Sequence, residues 1–224
     1  MQPIKAVLFD MDGTIINTID DLAAASNHTM EALGFSGHTV AQYKLMVGNG
    51  IPKLVERALP PGHRDEATKA EALEVFLDYY REHAADLTRA YDGVPELVAT
   101  LKQKGYRLAV VTNKVEEMAL RLLDDLYPGL FDVCIGQRPA LPPKPDPAAA
   151  KLAMEELGVT PEECVFVGDS GVDVKTAENA GAYPVGVLWG FRDEPELREN
   201  GARAVIRRPE ELLTLLSDNN AKPK

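Results

Sequence analysis

From residue 91 onward, short apolar runs alternate with helix-length amphipathic segments. YRLAVVT at 106–112, FDVCIG at 131–136, ECVFVGD at 163–169, PVGVLWG at 184–190 and RAVIR at 203–207 read as strands. Helical patterns such as VEEMALRLLDDL and AAAKLAMEELG lie between them, and PEELLTLLS closes the series. A run that is apolar along its whole length has to be covered on both faces, and the intervening helices supply that cover. The pattern predicts an α/β fold, a Rossmann-like parallel sheet with helices on both faces. VLF at 7–9 adds a first strand near the start of the sequence.

The alternation is interrupted directly after that first strand. Residues 18–33 read as a helix, with Thr18 as its cap, Asp20 and Asp21 in its first turn and Gly34 as its stop. Two shorter helical patterns, near 38–46 and 51–59, flank Gly48-Asn49-Gly50. A long amphipathic pattern follows the break PPGH at 60–63. No convincing strand lies in this block. The expected organisation is an α/β core (catalytic) domain made of 1–14 and 89–224, with an inserted all-helical cap domain at 15–88. The polar end NNAKPK reads as a frayed tail.

Ligands of open parallel sheets bind outside the carboxyl ends of the strands. Four such ends here carry polar groups. The first gives Asp10, Asp12, Gly13 and Thr14, and the second Thr112 and Asn113. The loop after the third gives Lys144 among prolines, and the fourth gives Asp169, Ser170 and Asp173. Asp10, Asp12 and Asp169 would repel one another unless a hard cation sat between them, and Mg²⁺ takes oxygen ligands of this kind. Thr112 and Asn113 can donate to phosphate oxygens, Lys144 can neutralise charge on nucleophile and phosphoryl group, and Gly13 allows a sharp turn that faces backbone amides toward an anion. Each piece alone has an ordinary explanation: turn chemistry for DMDGT and TN, a solvated lysine, a helix cap for GDS. The joint pattern, each piece at a strand end, is hard to assemble by chance.

Charge and apolar patterning narrow the class further. The formal charge of −11 argues against non-specific binding to nucleic acid or an anionic membrane. No apolar run approaches the roughly 20 residues that a membrane span needs, and no signal-peptide pattern opens the sequence. Cys134 and Cys164 lie in apolar runs and read as plain buried thiols, in keeping with a reducing, cytoplasmic setting. The four histidines show no metal-ligand spacing.

DMDGT, TN, Lys144 and GDSGVD, in this order, resemble the haloacid dehalogenase-like hydrolase superfamily, in its phosphatase branch. VGNGIPKLVERAL at 47–59 and GDSGVDVKTAENAGAYPVGVLWGF at 168–191 look like the phosphoglycolate phosphatase group, with Asn17 where that group usually has Asp. The resemblance implies that Asp10 is the nucleophile that forms an aspartyl-phosphate. Asp12 would protonate the leaving group and then activate water. Thr112 and Lys144 would hold the phosphoryl oxygens, with Asn113 in support. Mg²⁺ would be bound by Asp10, the carbonyl of Asp12 and Asp169, with Asp173 in or near its outer shell. Gly48, Asn49 and Gly50 would select substrate as the cap closes, although GNG is equally a plain interhelical turn.

The expected activity is Mg²⁺-dependent hydrolysis of a small phosphate monoester, phosphoglycolate-like, by a monomer or homodimer with no nucleic-acid or membrane partner. The alternatives are a β-phosphoglucomutase-like sugar-phosphate mutase, a pyrophosphatase, a haloacid dehalogenase or a non-catalytic binding module. Asp12 argues against the dehalogenase, because a halide leaves without an acid. Trp189 and Phe191, after the fifth strand, read as cover for the sheet rather than as hinge packing.

Overall fold

The computed structural model describes residues 3–221. The chain opens with β1 (Ala6–Phe9) and β2 (Ile16–Asn17), then runs through α1 (Ile19–Ala32), α2 (Val40–Met46), α3 (Ile51–Ala58) and α4 (Glu66–His83). It continues with β3 (Arg89–Ala90), α5 (Val94–Gln103), β4 (Arg107–Val115), α6 (Glu116–Leu126), β5 (Val133–Gln137) and α7 (Ala148–Leu157). β6 (Cys164–Gly168), α8 (Gly171–Ala180), β7 (Tyr183–Val187), α9 (Glu194–Glu199), β8 (Ala204–Ile206) and α10 (Glu211–Ala221) complete it. Two compact units result, one formed by the chain up to Ile16 and from Ala90 onward, the other by Asn17–Arg89.

The larger unit is built on one six-stranded sheet in the order β5-β4-β1-β6-β7-β8. Its strand pairs are parallel, and β1 lies between β4 and β6 with Ala6 opposite Arg107 on one side and Cys164 on the other. Strand alternation splits β1 between two cores. Val7 and Phe9 join Val98, Leu101, Leu122 and Leu216 on one face. Ala6 and Leu8 join Ala150, Ala153, Met154 and Ala177 on the other. Both sides of β1 are fully buried, which is why the run carries no polar residue. Each such buried side chain of Val, Leu or Phe contributes about 1.5–3 kcal/mol. The connections out of β1 lead to β4 on one side and, later, β6 on the other, so the order reverses at the carboxyl end of β1.

The smaller unit consists of α1–α4 around buried Met30, Tyr43, Leu54, Phe76 and Tyr80. Its first helix begins differently from the sequence expectation. Thr18 precedes α1, but its side chain makes no capping bond, because its backbone is not in the extended form that a cap needs. Asn17 Oδ1 instead accepts from the Ile19 N–H at 3.4 Å. Asp21 does not simply complement the helix start either. Its carboxylate accepts from the backbone N–H of Leu87 and Thr88 and from the Thr88 hydroxyl.

The block expected to lack strands carries the two-residue β2, which pairs with β3 just past the block's end. Helix α9 was not foreseen. Asp193 caps it by accepting from Glu196 N–H, so its signal was a short Asp-x-Pro start hidden in a loop. Helix α10 runs through Ala221, into the expected polar tail, while residues 222–224 lie outside the described residues. No helix among the described residues is long and apolar enough to cross a membrane.

Candidate active site

The carboxyl ends of β1, β4 and β6 and the loop after β5 converge in the larger unit. Asp10 follows β1 and is anchored by its own N–H, which donates to Val167 O at 2.8 Å. Lys144 comes from the proline loop between β5 and α7. Its Nζ lies 2.6 Å from Asp10 Oδ1 and 2.6 Å from Asp173 Oδ1. All three side chains are buried, and the ammonium also sits 5.7 Å from the centre of the Phe166 ring.

Asp173 is held in turn by the start of α8. Its Oδ2 accepts from the Ser170 backbone N–H at 3.1 Å and from the Ser170 hydroxyl at 2.6 Å. The hydroxyl and carboxylate thus form a reciprocal cap at the start of the helix. Asp169, last before that cap, accepts from the Phe191 N–H at 2.7 Å. Gly13 lies in the left-handed region at φ 90°, and a Cβ there would overlap the Asp169 carboxylate. Two strand ends can approach this closely only over a glycine.

β4 distributes its last residues among three tasks. The pairing of β4 with β5 shifts between Val111 and Val115, a bulge that re-aims the strand end. Buried Thr112 accepts from Lys114 N–H at 3.1 Å, which leaves its hydroxyl proton available to another acceptor. Asn113 turns toward the proline loop, accepting from Lys144 N–H at 2.7 Å and donating to Lys144 O at 3.2 Å. This places Asn113 as a brace for the lysine loop. Lys114 reaches Asp12, with Nζ 3.1 Å from Oδ1 and 3.4 Å from Oδ2.

Asp10, Asp169 and Asp173 offer carboxylate oxygens that all lie within 4.8 Å of one another. Burial, with repulsion from Asp173, pushes Asp10 up to about 7, against the pull of Lys144. Burial and the charges of Asp173 and Asp10 hold Asp169 well above the usual carboxylate range. Burial alone would lower Lys144, but Asp10 and Asp173 outweigh it and hold the ammonium above the ordinary lysine range. With all three carboxylates ionised against one ammonium, two negative charges would be left in a buried, all-oxygen site, which is what burial and mutual repulsion resist. A hard divalent cation fits that donor set and charge. The Asp12 side chain is not part of this cluster, being turned to Lys114.

Sequence reasoning did not single out Lys114 or the Phe191 N–H. Lys114 directly follows Thr112 and Asn113, so its only signal was a charged residue inside a strand run. Trp189 donates from Nε1 to Thr14 O at 2.9 Å, tying the loop after β1 to the end of β7. Trp189 also packs against the core on that face of the sheet, as expected of a covering residue, while Phe191 serves Asp169 through its backbone N–H. Cys134 and Cys164 are free thiols, each pushed up to about 12 by burial, as inert thiols would be.

In the smaller unit, Gly48 and Gly50 both have positive φ, and Gly50 begins α3. Asn49 Oδ1 accepts from Arg57 at 2.7 Å, and Arg57 also donates to Met46 O. The turn is therefore a built loop with one side of Asn49 fixed.

The sequence profile of the family described as "Haloacid dehalogenase-like hydrolase" matches residues 7–187. The chain is 40% identical over 214 residues to a phosphoglycolate phosphatase of Pseudomonas putida, covering 90% of this chain and 78% of the relative. It is 32% identical over 217 residues to a phosphoglycolate phosphatase of Aquifex aeolicus, covering 96% and 98%. Among solved structures, a protein of Lactobacillus delbrueckii subsp. bulgaricus, provisionally assigned as a phosphoglycolate phosphatase, matches with a TM-score of 0.92 at 33% identity. That match covers 96% of this chain and 99% of the other.

Proposed function

The chain belongs to the haloacid dehalogenase-like hydrolase family, and on that premise we propose that it hydrolyses a small, phosphoglycolate-like phosphate monoester with the help of Mg²⁺. The observation that carries the reading is the buried Lys144 bridging Asp10 and Asp173 beside Asp169. Asp10, Asp169 and the carbonyl of Asp12 would hold the cation, with Asp173 behind them. When bound, the cation neutralises charge on the phosphoryl group and keeps Asp10 ionised.

The chemistry of the chain's own residues follows. A carboxylate oxygen of Asp10 attacks phosphorus, and the ester P–O bond breaks. The leaving oxygen takes the proton of Asp12, giving the alcohol and an aspartyl-phosphate. Asp12, now a carboxylate, takes a proton from water as the water oxygen attacks phosphorus. The P–O bond to Asp10 breaks, giving phosphate and restoring Asp10. Thr112 and Lys144 orient the phosphoryl oxygens, Gly13 lets the loop after β1 pass close to Asp169, its own N–H being spent on Ile16 O, and Asn113 holds the Lys144 loop. The smaller unit, 17–89, would act as the cap, with Gly48, Asn49 and Gly50 selecting the alcohol portion.

Hydrolysis of 2-phosphoglycolate, phosphosugars, nucleotides and pyrophosphate, with and without Mg²⁺, tests the reading. Mg²⁺-dependent release of phosphate, strongest from 2-phosphoglycolate and abolished by Asp10→Asn, is expected. Equal turnover by the Asp10→Asn variant overturns it.

A further inference from the structure

Two lysines are buried at this rim, and each is committed to a different aspartate. Lys144 serves Asp10, whereas Lys114 serves Asp12 and straddles both of its oxygens at 3.1 and 3.4 Å. The Lys114 side chain is 3% exposed, against 18% for Asp12. An ammonium taken this far out of water costs several kcal/mol unless a partner answers it. The pair is also anchored at the backbone, because the Lys114 N–H donates to Thr112 Oγ1. A long, flexible side chain is thereby fixed at its root by the strand and at its tip by the carboxylate. Asp12 is the more exposed member, so the geometry presents the carboxylate outward and the lysine behind it.

We infer that Lys114 is the positioning residue for Asp12, fixing the carboxylate for proton transfer to the leaving oxygen; this rests on the function proposed above. In that step the ester P–O bond breaks and its electron pair takes the Asp12 proton, which leaves a carboxylate facing the Lys114 ammonium. The ammonium stabilises the charge so created. Its effect therefore scales with how much the leaving group needs a proton. An alkoxide needs one, whereas 4-nitrophenolate is stable without it. A residue that merely supports the fold would not separate the two.

The experiment compares kcat/KM for 2-phosphoglycolate and 4-nitrophenyl phosphate in wild type, Lys114→Met, Lys114→Arg and Asp12→Ala, with melting curves as a check on folding. Lys114→Met is expected to lose about tenfold or more with the alkyl ester and under about threefold with the aryl ester. Lys114→Arg is expected to recover most of the loss. Lys114→Gln, similar in reach and still polar, carries the same expectation if the Met variant does not fold. A split in Asp12→Ala with none in the Lys114 variants overturns this inference alone. Wild-type protein inert toward both esters, or Asp12→Ala losing both equally, overturns the function itself.

Discussion

Asn113 grips the backbone of Lys144 from both sides, accepting its N–H at 2.7 Å and donating to its carbonyl at 3.2 Å. The brace joins the end of β4 to a proline loop that reaches the site from a different strand. Asn113→Ala should leave both backbone groups without their partner and cost about 1–3 kcal/mol of stability. A displacement of Lys144 by about 1 Å can cost on the order of 10²-fold in rate. Thermal melting and steady-state kinetics check the two effects, and full activity in a destabilised variant would show that the loop keeps its place unaided.

Asp10, raised to about 7 by burial and by Asp173, gives the site a pH signature. In the folded, metal-free protein it keeps a proton that the unfolded chain releases from about pH 4. Its contribution to stability is therefore greatest below about pH 4 and declines as pH rises to about 7. A divalent cation has to displace that proton. The rise in melting temperature on adding Mg²⁺ should be clearly larger at pH 8 than at pH 5.5. A rise that is the same at both values would remove Asp10 from the cation site.

Asp132 behaves in the opposite sense. Burial would raise it, but Lys102 at 2.7 Å, the Leu108 N–H at 2.9 Å and Arg107 together hold it below the usual range. Its stabilisation is present above the unfolded value near 4 and lost as pH falls through the folded one. Asp132→Ala should cost about 1–2 kcal/mol at pH 7, and the difference from wild type should fade in acid. Urea midpoints at several pH values measure it.

Asp21 ties the two ends of the smaller unit's chain through the N–H groups of Leu87 and Thr88 and the Thr88 hydroxyl. Asp21→Ala should cost about 2–3 kcal/mol and speed amide exchange at Leu87 and Thr88. Unchanged protection at those amides would assign the cost elsewhere.

The sheet was legible because short runs apolar on both sides recur between amphipathic helices, a length and alternation that mark a parallel sheet covered on both faces. Asp10, Lys144 and Asp169 were legible because polar residues ending such strands have one rim to occupy. Lys114 was not, since only the folded strand reveals that its tip meets Asp12. The Asp21 contacts cross 66 and 67 positions in sequence, so no local pattern announces them. Thr18 misled for a related reason: its residue type suits a cap, but its backbone angles, fixed by the chain's entry into α1, do not.

The middle position of β1 bears on the order of events as the chain is made. Ala6 leaves the ribosome well ahead of Arg107 and Cys164, the two residues it pairs with. The strand that becomes the axis of the sheet has to wait, unpaired, while the helical block that follows it is synthesised and free to collapse on its own. A nascent chain arrested before Arg107 should hold helices but none of the six-stranded sheet's pairings, with an apolar strand exposed to chaperones until β4 arrives.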